Sequence, residues 1–213
     1  MNVGKRMSFP LVTVAPDLTV PDALALTKKA KIRHILVVEK NKLVGVVTKN
    51  DLLNASPSRA TTLSVWEINY LVSQIKVSDV MATEVITTTE DTPIEEAARI
   101  MSDHKISCLP VMRNNDLVGI ITETDLFKVF LELLGANRKG VRLTIEVPNA
   151  PGVLAKLART IFEAGGNIVA MGAVAGETLS TTLVMIKLED MELKTVEELI
   201  KPLVNKISDI RIS

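Results

Sequence analysis

The sequence predicts a mixed α/β and α+β protein in which a duplicated βαββα unit is followed by a βαββαβ domain. The segment Gly45-Val-Val-Thr-Lys-Asn-Asp51 returns as Gly119-Ile-Ile-Thr-Glu-Thr-Asp125, 74 residues later and without gaps. Around both segments, apolar runs with strand and helix periodicity follow one another in the same order. The repeat stops at the Gly-rich, basic stretch 134–140, and a different order of elements begins there.

The repeat register also predicts the domain boundaries. Two copies are too few for a solenoid, so we expect a pseudo-twofold pair of small α/β units. The predicted segments are a first copy at 1–56, a linker helix at 57–76, a second copy at 77–134, a short linker at 135–140 and a last domain at 141–213.

Each copy has the same predicted elements. A short strand comes first, and an aspartate with an early proline then marks the start of a helix. A β-hairpin and a second helix complete the copy. In the first copy the strand is Leu11–Val14, the helix start with its capping side chains Asp17–Pro21, the hairpin Ile35–Val38 with Leu43–Val47, and the second helix begins near Lys49; in the second copy they are Val85–Thr88, Asp91–Glu95, Leu109–Met112 with Leu117–Ile121, and Glu123.

Between the copies, an amphipathic pattern predicts the linker helix. Ser64 and Glu67 form the sequence signature of a capping box. One apolar face follows at helical spacing, with Ile68, Leu71, Val72 and Ile75.

The last domain alternates strands and helices in the ferredoxin-like order. We expect strands at Val141–Val147, from Ile168, at Thr181–Leu188 and at Ile210–Ile212, helices at Val153–Ala164 and Thr195–Ile207, and a mobile hairpin at Met171–Glu177.

Composition narrows the function classes. The chain has 213 residues, with 47% hydrophobic and 23% charged residues, and a formal net charge of +0 from 25 basic and 25 acidic side chains. A balanced charge argues against a nucleic-acid interface, and no apolar run approaches the ~18–20 residues of a membrane span. A single cysteine, Cys108, fits a cytoplasmic location. Two histidines and one cysteine give no catalytic triad and no zinc spacing, so we expect neither catalytic nor metal-binding residues, and no enzyme.

Taken together, the tandem strand–helix–strand–strand–helix order and the doubled Gly-h-h-Thr-x-x-Asp motif resemble the CBS domain pair, or Bateman module, over about residues 1–134. The last domain, with Asn149-Ala-Pro-Gly-Val-Leu154 and Gly166-Asn-Ile168 at its junctions, resembles an ACT domain. Many ACT domains have an aspartate where this chain has Asn149, so the chain departs from that family pattern here. The combination is similar to the acetoin-utilisation AcuB-type proteins.

The repeated motif gives the first candidate site. A carboxylate in the first turn of a helix can accept hydrogen bonds from a ribose diol, and a threonine with free helix N–H groups suits phosphate. The alternative is that Thr48 and Asp51, like Thr122 and Asp125, only cap their helices. Gly45 and Gly119 leave room for a ligand or for close strand packing.

The two nucleotide sites are expected to differ. In CBS pairs the residues before the hairpin face the central cleft, so Arg33 and His34 could meet phosphates there. Their counterparts in the second copy are Ser107 and Cys108, which are not basic. A surface or half-buried strand residue is the alternative for His34. His104 is expected to be structural, and Cys108 to lie in the core.

The ACT-like domain gives the second candidate site. The backbone N–H groups that open its first helix could hold an amino-acid carboxylate, and two asparagines could add polar contacts. The alternative is that these positions only form a turn. The candidate residues are Asn149, Ala150, Gly152, Val153, Leu154 and Asn167.

These expectations combine into a non-catalytic ligand sensor, which we expect to be a homodimer. Its regulatory ligand would be an adenine nucleotide (AMP, ADP, ATP, NAD or S-adenosylmethionine), with an amino acid at the ACT-like domain. Two alternatives remain open at this point: an interaction scaffold without nucleotide, and an accessory protein or enzyme of acetoin-type carbon metabolism.

Overall fold

The computed structural model of the chain describes residues 1–55 and 65–213. Their contacts divide the chain into two compact units, Met1–Leu126 and Phe127–Ser213. Within the described residues, no helix combines the length and the apolar character needed to cross a membrane.

The first unit contains the same five elements twice, and only the last helix continues beyond Leu126. The first copy consists of β1 (Thr13–Val14), α1 (Val20–Ala30), β2 (His34–Glu39), β3 (Lys42–Thr48) and α2 (Lys49–Asn54). After the linker helix α3 (Val65–Gln74), the second copy consists of β4 (Thr88–Thr89), α4 (Ile94–His104), β5 (Cys108–Arg113), β6 (Asp116–Thr122) and α5 (Glu123–Leu133). The predicted order of elements is therefore confirmed in both copies.

Each copy forms its own three-stranded sheet, β1-β2-β3 and β4-β5-β6. The first strand pairs in parallel with the second, and the hairpin strands pair antiparallel. The hairpins even share an irregularity, because the register shifts between Val37 and Val38 in one copy and between Val111 and Met112 in the other. The duplication is thus preserved in backbone geometry as well as in sequence.

The N-terminal segment of each copy pairs with the hairpin of the other copy. The N–H of Val46 donates to the carbonyl oxygen of Ala82 at 3.0 Å, and Ala82 donates back at 2.9 Å. The equivalent pair in the other copy, Ser8 and Ile120, exchanges the same two bonds at 2.8 and 3.3 Å. Val77, from the start of the second copy, is fully buried in the core of the first. The pair of copies therefore folds as one unit.

Several predicted boundaries in this unit are wrong. The strands β1 and β4 contain two residues each, where the apolar runs predicted four. The N-caps of α1 and α4, Thr19 and Pro93, fall inside the predicted start segments Asp17–Pro21 and Asp91–Glu95. The Thr19 side chain accepts from the Asp22 N–H, whereas Pro93 has no side chain that can cap, so a capping side chain is wrongly predicted only in the second copy.

The linker helix α3 falls inside the predicted range 57–76. Ser64, and with it the predicted capping box, lies outside the described residues, as do the side chains of Ile68 and Val72. Leu71 of the predicted apolar face is 48% exposed.

The second unit has a βαββαβ order. Its elements are β7 (Val141–Pro148), α6 (Val153–Glu163), β8 (Asn167–Ala175), β9 (Thr181–Glu189), α7 (Leu193–Ile200) and β10 (Lys206–Ile212). The antiparallel sheet has the strand order β10-β7-β9-β8, which is the ferredoxin-like arrangement. Alternate residues of β7 and β9 are buried together with Leu157 and Ile161 of α6 and Val196 and Ile200 of α7.

Two predictions for this unit are wrong. The helix expected at Thr195–Ile207 ends at Ile200, because Pro202 has no N–H to continue the hydrogen-bond ladder, and a short 3-10 turn follows at Lys201–Leu203. The last strand consequently begins at Lys206. The stretch Met171–Glu177 is not a mobile hairpin: β8 continues to Ala175, whose partner in β9 is Thr182, and the turn lies beyond it.

Candidate functional site

The end of the first hairpin brings three predicted site residues together. Thr48, the last residue of β3, lies opposite His34 in the β2–β3 register, and α2 begins directly after it. The Asp51 carboxylate folds back over this helix start. Its Oδ2 accepts from the Thr48 N–H at 2.8 Å and from the Thr48 hydroxyl at 2.7 Å, while the Asp51 N–H donates to the hydroxyl at 3.2 Å. The pair is a reciprocal capping box.

The second copy repeats this geometry. Asp125 Oδ2 accepts from the N–H and the hydroxyl of Thr122 at 3.0 and 2.8 Å, and the Asp125 N–H donates to that hydroxyl at 3.4 Å. Both aspartates therefore cap their helices, which was the structural alternative. In neither copy does the cap occupy both carboxylate oxygens, so it leaves a second role open.

Asp51 borders a cavity of about 210 Å³. Thr48, Asp51 and His34 contribute its polar side from the first copy. Most of the opposite wall comes from the second copy and is largely apolar: Ala82, Glu84, Val85, Ile86, Lys105, Ile106, Ser107, Cys108 and Pro110. Among the described residues, no hydrogen bond reaches Oδ1 of Asp51. The cavity thus has one available carboxylate oxygen at its edge.

Asp125 has a different environment. It is 7% exposed, and its Oδ1 accepts from the hydroxyl of Ser8 at 3.4 Å. The position equivalent to Ser8 beside Asp51 is Ala82, which has no hydroxyl. The two copies therefore keep the same helix cap in unequal surroundings.

Arg33 and His34 reach across from the first copy to the second. The Arg33 guanidinium donates to the Thr124 hydroxyl at 3.0 Å, and His34 Nε2 lies 2.7 Å from the Ser107 hydroxyl. Burial, followed by the neighbouring Arg33 charge, lowers the pKa of His34 below its ordinary value of 6.5, while Glu123 and Asp51 oppose the shift. His34 is accordingly neutral near pH 7 and half-buried, as one of the two sequence interpretations expected.

A smaller cavity of about 130 Å³ shares three residues with the Asp51 cavity. These are His34, Thr48 and Ser107, and Arg33, Lys49 and Asn50 complete its wall. The two cavities together combine an apolar wall, a carboxylate and a basic side.

Gly45 and Gly119 serve strand packing. A side-chain carbon added at Gly45 would collide with Met81 and the carbonyl oxygen of Ala82, and one added at Gly119 would collide with Met7. Each glycine thus accepts a methionine from the other copy. The alternative of close packing explains both positions.

Nucleophilic chemistry finds little support in this unit. Cys108 is buried, and burial raises the pKa of its thiol to about 12, so the sulfur stays protonated. His104 is the last residue of α4, in keeping with its predicted structural role. Within the described part of the chain, no cluster of three or more histidine, cysteine or acidic side chains could hold a metal ion.

The second unit does not gather its predicted site residues at one place. Asn149 and the helix start Gly152–Leu154 follow the end of β7, whereas Asn167 begins β8. Both strands pair antiparallel with β9, with Pro148 opposite Thr181 and Asn167 opposite Glu189. About eight residues at about 3.3 Å separate the two levels, so Asn149 and Asn167 lie about 25 Å apart at opposite ends of the sheet.

Several polar groups after β7 already have hydrogen-bond partners within the protein. The Asn149 side chain donates to the carbonyl oxygen of Leu179 at 3.3 Å. The N–H groups of Ala150 and Val153 donate to the carbonyl oxygens of Pro148 and Ala150. Gly152 has a positive φ of 83° directly before α6, which explains why a glycine is needed there. Asn167 donates to Glu189 at 3.5 Å.

The sequence did not predict which residues complete the Asp51 cavity. Glu84, Lys105 and Pro110 line it but belong to the other copy. The exchange of N-terminal segments brings Glu84 there, and contact between the two hairpins brings Lys105 and Pro110. The sequence signal for the exchange is weak, because the 74-residue register pairs Ser8 with Ala82 without saying which hairpin each one joins.

A tandem pair of α/β units with a cleft at the ends of its hairpins defines the class of protein. The family model of the CBS domain matches residues 3–58 and 77–132, which is more than half of the chain. The chain therefore belongs to the CBS domain family, and the first resemblance is confirmed.

Curated proteins that are similar to this chain match different shares of it. The CBS domain-containing protein YhcV of Bacillus subtilis is 30% identical over 125 residues, which are 59% of this chain and 82% of that protein. An inosine-5'-monophosphate dehydrogenase of Nitrosopumilus maritimus is 26% identical over 78% of this chain, but the match spans only 32% of that enzyme.

Solved structures agree with this assignment. A Vibrio cholerae protein named for acetoin utilization (AcuB) is 33% identical, with a TM-score of 0.53 over 64% of this chain and 95% of the other. CBSX2, solved in complex with AMP, is 32% identical with a TM-score of 0.52 over 62% and 97%. The CBS pair of MJ0100, solved with 5'-methylthioadenosine and S-adenosyl-L-methionine, is 28% identical with a TM-score of 0.52 over 65% and 98%.

Proposed function

We propose that this protein is a non-catalytic regulatory sensor that binds an adenine nucleotide in the Asp51 cavity. The observation that carries the proposal is the available Oδ1 of Asp51 at the edge of a cavity with an apolar wall. CBS-pair structures that resemble this chain contain AMP in one case and S-adenosyl-L-methionine in another, which supports an adenosine ligand.

The two adjoining cavities suit chemically different parts of the nucleotide. Val85, Ile86 and Ile106 offer apolar surface to the adenine ring. Asp51 accepts from a ribose hydroxyl through Oδ1 while Oδ2 continues to cap α2. The phosphate then points to the smaller cavity, where Arg33 and Lys49 supply positive charge.

The environment of Asp125 leads us to propose one preferred site. Asp125 is nearly buried and already accepts from Ser8, so a ligand there would have to displace a protein contact. The Asp51 cavity and the smaller cavity beside it, which Arg33 and Lys49 line, have small volumes. AMP fits these volumes better than the larger candidates ADP, ATP and NAD do.

For the second unit we propose an ACT-like regulatory domain in a cytoplasmic homodimer. Its ferredoxin-like sheet ends in the edge strands β8 and β10, which can pair with another chain. Because Asn149 and Asn167 lie at opposite ends of one sheet, an amino-acid site that uses both needs two protomers. A single protomer would offer only the start of α6.

Titration calorimetry of the full chain with AMP, ADP, ATP, NAD and S-adenosylmethionine tests the nucleotide proposal. Asp51→Asn keeps a cap acceptor but removes the charge, and hydrogen bonds to a charged group contribute about 1.5–3 kcal/mol. We expect its affinity for AMP to fall tenfold or more. Asp125→Asn is the matched control and should retain affinity within about threefold.

The same titrations separate the sensor from a scaffold. Since both aspartates cap helices, a protein whose motif had only a structural role would show the same geometry. Absence of binding to all five compounds would favour the scaffold. Equal loss in both variants would place the nucleotide elsewhere in the cleft.

A further inference from the structure

A second cavity lies at the turn ends of the hairpins, away from the helix starts that carry Thr48 and Thr122. It has a volume of about 740 Å³. Its walls come from the β2–β3 turn at 40–43, the β5–β6 turn at 112–116 and the segment 83–89 that leads into β4. We call these residues the turn groove. The volume is within the range of about 300–1,000 Å³ found for small-molecule sites.

The turn groove is lined mainly by polar side chains. Five of them make no hydrogen bond or ion pair through the side chain with any residue that the structure describes: Lys40, Asn41, Lys42, Asn114 and Asn115. The Asp51 site differs in this respect, because its threonine and aspartate bind each other. The groove therefore offers ammonium and amide groups to a ligand at no cost in broken protein contacts.

The duplication provides an internal control for this wall. Thr83, Thr88 and Thr89 line the groove, and their equivalents in the first copy are Phe9, Val14 and Ala15. Three apolar positions of one copy thus carry hydroxyls in the other, all beside the same cavity. The fold requires no hydroxyl at these positions, because the first copy forms the same elements without them.

Thr88 adds an independent observation. It is 6% exposed, and its hydroxyl oxygen is the buried side-chain oxygen or nitrogen that lacks a partner among the described residues. The Val14 equivalent packs into the core of the first copy. A buried hydroxyl without a partner is unfavourable for the ligand-free protein, so its presence beside a cavity points to a role in binding.

We propose that the turn groove binds a phosphorylated polyhydroxy compound of the sugar-phosphate class. Lys40 and Lys42 from the first turn hold the phosphate as point charges. The asparagines of both turns, the hydroxyls of Thr83 and Thr88 and the Asp116 carboxylate bind the ligand hydroxyls, since together they offer donors and acceptors.

The residues that line the groove favour a sugar phosphate over a ligand that carries a base. None of the described residues that line it is aromatic, so none of them can stack on a base. Leu43, Val85 and Met112 contribute a small apolar area, which a sugar carbon skeleton can cover. This site is separate from the proposed nucleotide site, although Val85 borders both cavities.

Calorimetry of the full chain with a panel of pentose and hexose mono- and bisphosphates tests the proposal, with glucose and inorganic phosphate as single-feature probes. The decisive variant, Lys40→Asn with Lys42→Asp, gives the first turn the residues of the second. Asparagine is tolerated at position 40 because Lys40 and Asn114 have similar positive φ angles of 49° and 56°. We expect the sugar-phosphate affinity to fall tenfold or more. Lys29→Asn, on the exposed side of α1, should leave it unchanged.

Thr88→Val is the second variant, because it installs the residue of the first copy. We expect at least threefold weaker binding with an unchanged or higher melting temperature. A lower melting temperature with unchanged affinity would assign the hydroxyl to the fold and remove it from the site. Saturating AMP should leave the sugar-phosphate affinity within twofold, whereas displacement by AMP would place both ligands in the nucleotide cleft. No binding to any member of the panel, or equal binding by the lysine variant, overturns the proposal.

Discussion

The two copies of the Thr-x-x-Asp motif have the same internal geometry and different surroundings. Each aspartate accepts from its threonine with distances that differ by no more than 0.2 Å between equivalent bonds. Yet Asp51 borders a cavity, and Asp125 is nearly buried against Ser8. The shared part of the motif therefore caps a helix, and the part that differs determines access. A motif can be a cap and a ligand site at once because a carboxylate has two oxygens.

The largest expected difference between the copies is in stability. In Asp125→Ala the Thr122 N–H and the Ser8 hydroxyl lose their acceptor at a nearly buried site. We expect this variant to lose about 2–3 kcal/mol of unfolding free energy, against about 1 kcal/mol for Asp51→Ala, whose cap is more exposed to water. Urea denaturation of the two variants without ligand measures this difference.

Asparagine variants are the matched controls, since each keeps an oxygen that can accept the cap hydrogen bonds. Their loss of unfolding free energy should be about half that of the corresponding alanine variants. Equal losses for the two alanine variants would show that burial and Ser8 do not distinguish the copies.

The next largest difference is expected for the two motif glycines, in the unfolding free energy lost when each is replaced by alanine. A side-chain carbon at Gly45 would lie 3.0 Å from the backbone oxygen of Ala82 and would also meet Met81. At Gly119 the nearest atoms all belong to the flexible Met7 side chain, which can move. Gly45→Ala should therefore cost about 2 kcal/mol and Gly119→Ala about 1 kcal/mol. Thermal or urea unfolding measures both.

A double variant sharpens the comparison. Shortening Met7 in the Gly119→Ala background should make the two changes less costly together than their separate costs predict, because the collision is removed. Met81→Ala should relieve Gly45→Ala less, since the Ala82 backbone stays in place. Additive costs in both cycles would contradict this account of the methionine contacts.

Much of the first unit could be predicted from sequence because the repeat supplied its own alignment. Two copies with one register fix the order of elements, and the Gly, Thr and Asp positions mark where each hairpin ends. Local length was harder: β1 and β4 are short because each chain soon turns toward its helix, which an apolar run does not reveal. The exchange of N-terminal segments is a tertiary effect, so the far wall of the Asp51 cavity had no local signal.

In the second unit, the sequence predicted the order of strands and helices but not the positions of the candidate site residues. Asn149 and Asn167 both follow turn signals, which made them look alike in sequence. Their distance depends on strand direction, since β7 and β8 run the same way on either side of β9. Pro202 was the overlooked signal for the end of α7.

The smallest expected difference concerns His34, whose equivalent in the second copy is Cys108. Burial and Arg33 lower the pKa of His34 from 6.5, against the opposing charges of Glu123 and Asp51. As the pH falls below about 6.5, the unfolded chain takes up a proton that the folded protein refuses. Stability should therefore decrease from about pH 6.5 down to the lowered pKa, and this histidine should cause no further loss below it.

Urea unfolding of His34→Gln at a series of pH values between 7.5 and about 5 tests this prediction, because glutamine can still bind Ser107 but does not titrate in this range. The variant should lose stability less steeply than the wild type as the pH falls. If His34→Gln has the wild-type slope, the neutral His34–Ser107 contact does not govern the acid side of the stability profile. The central difference between the copies would then be one of ligand chemistry alone.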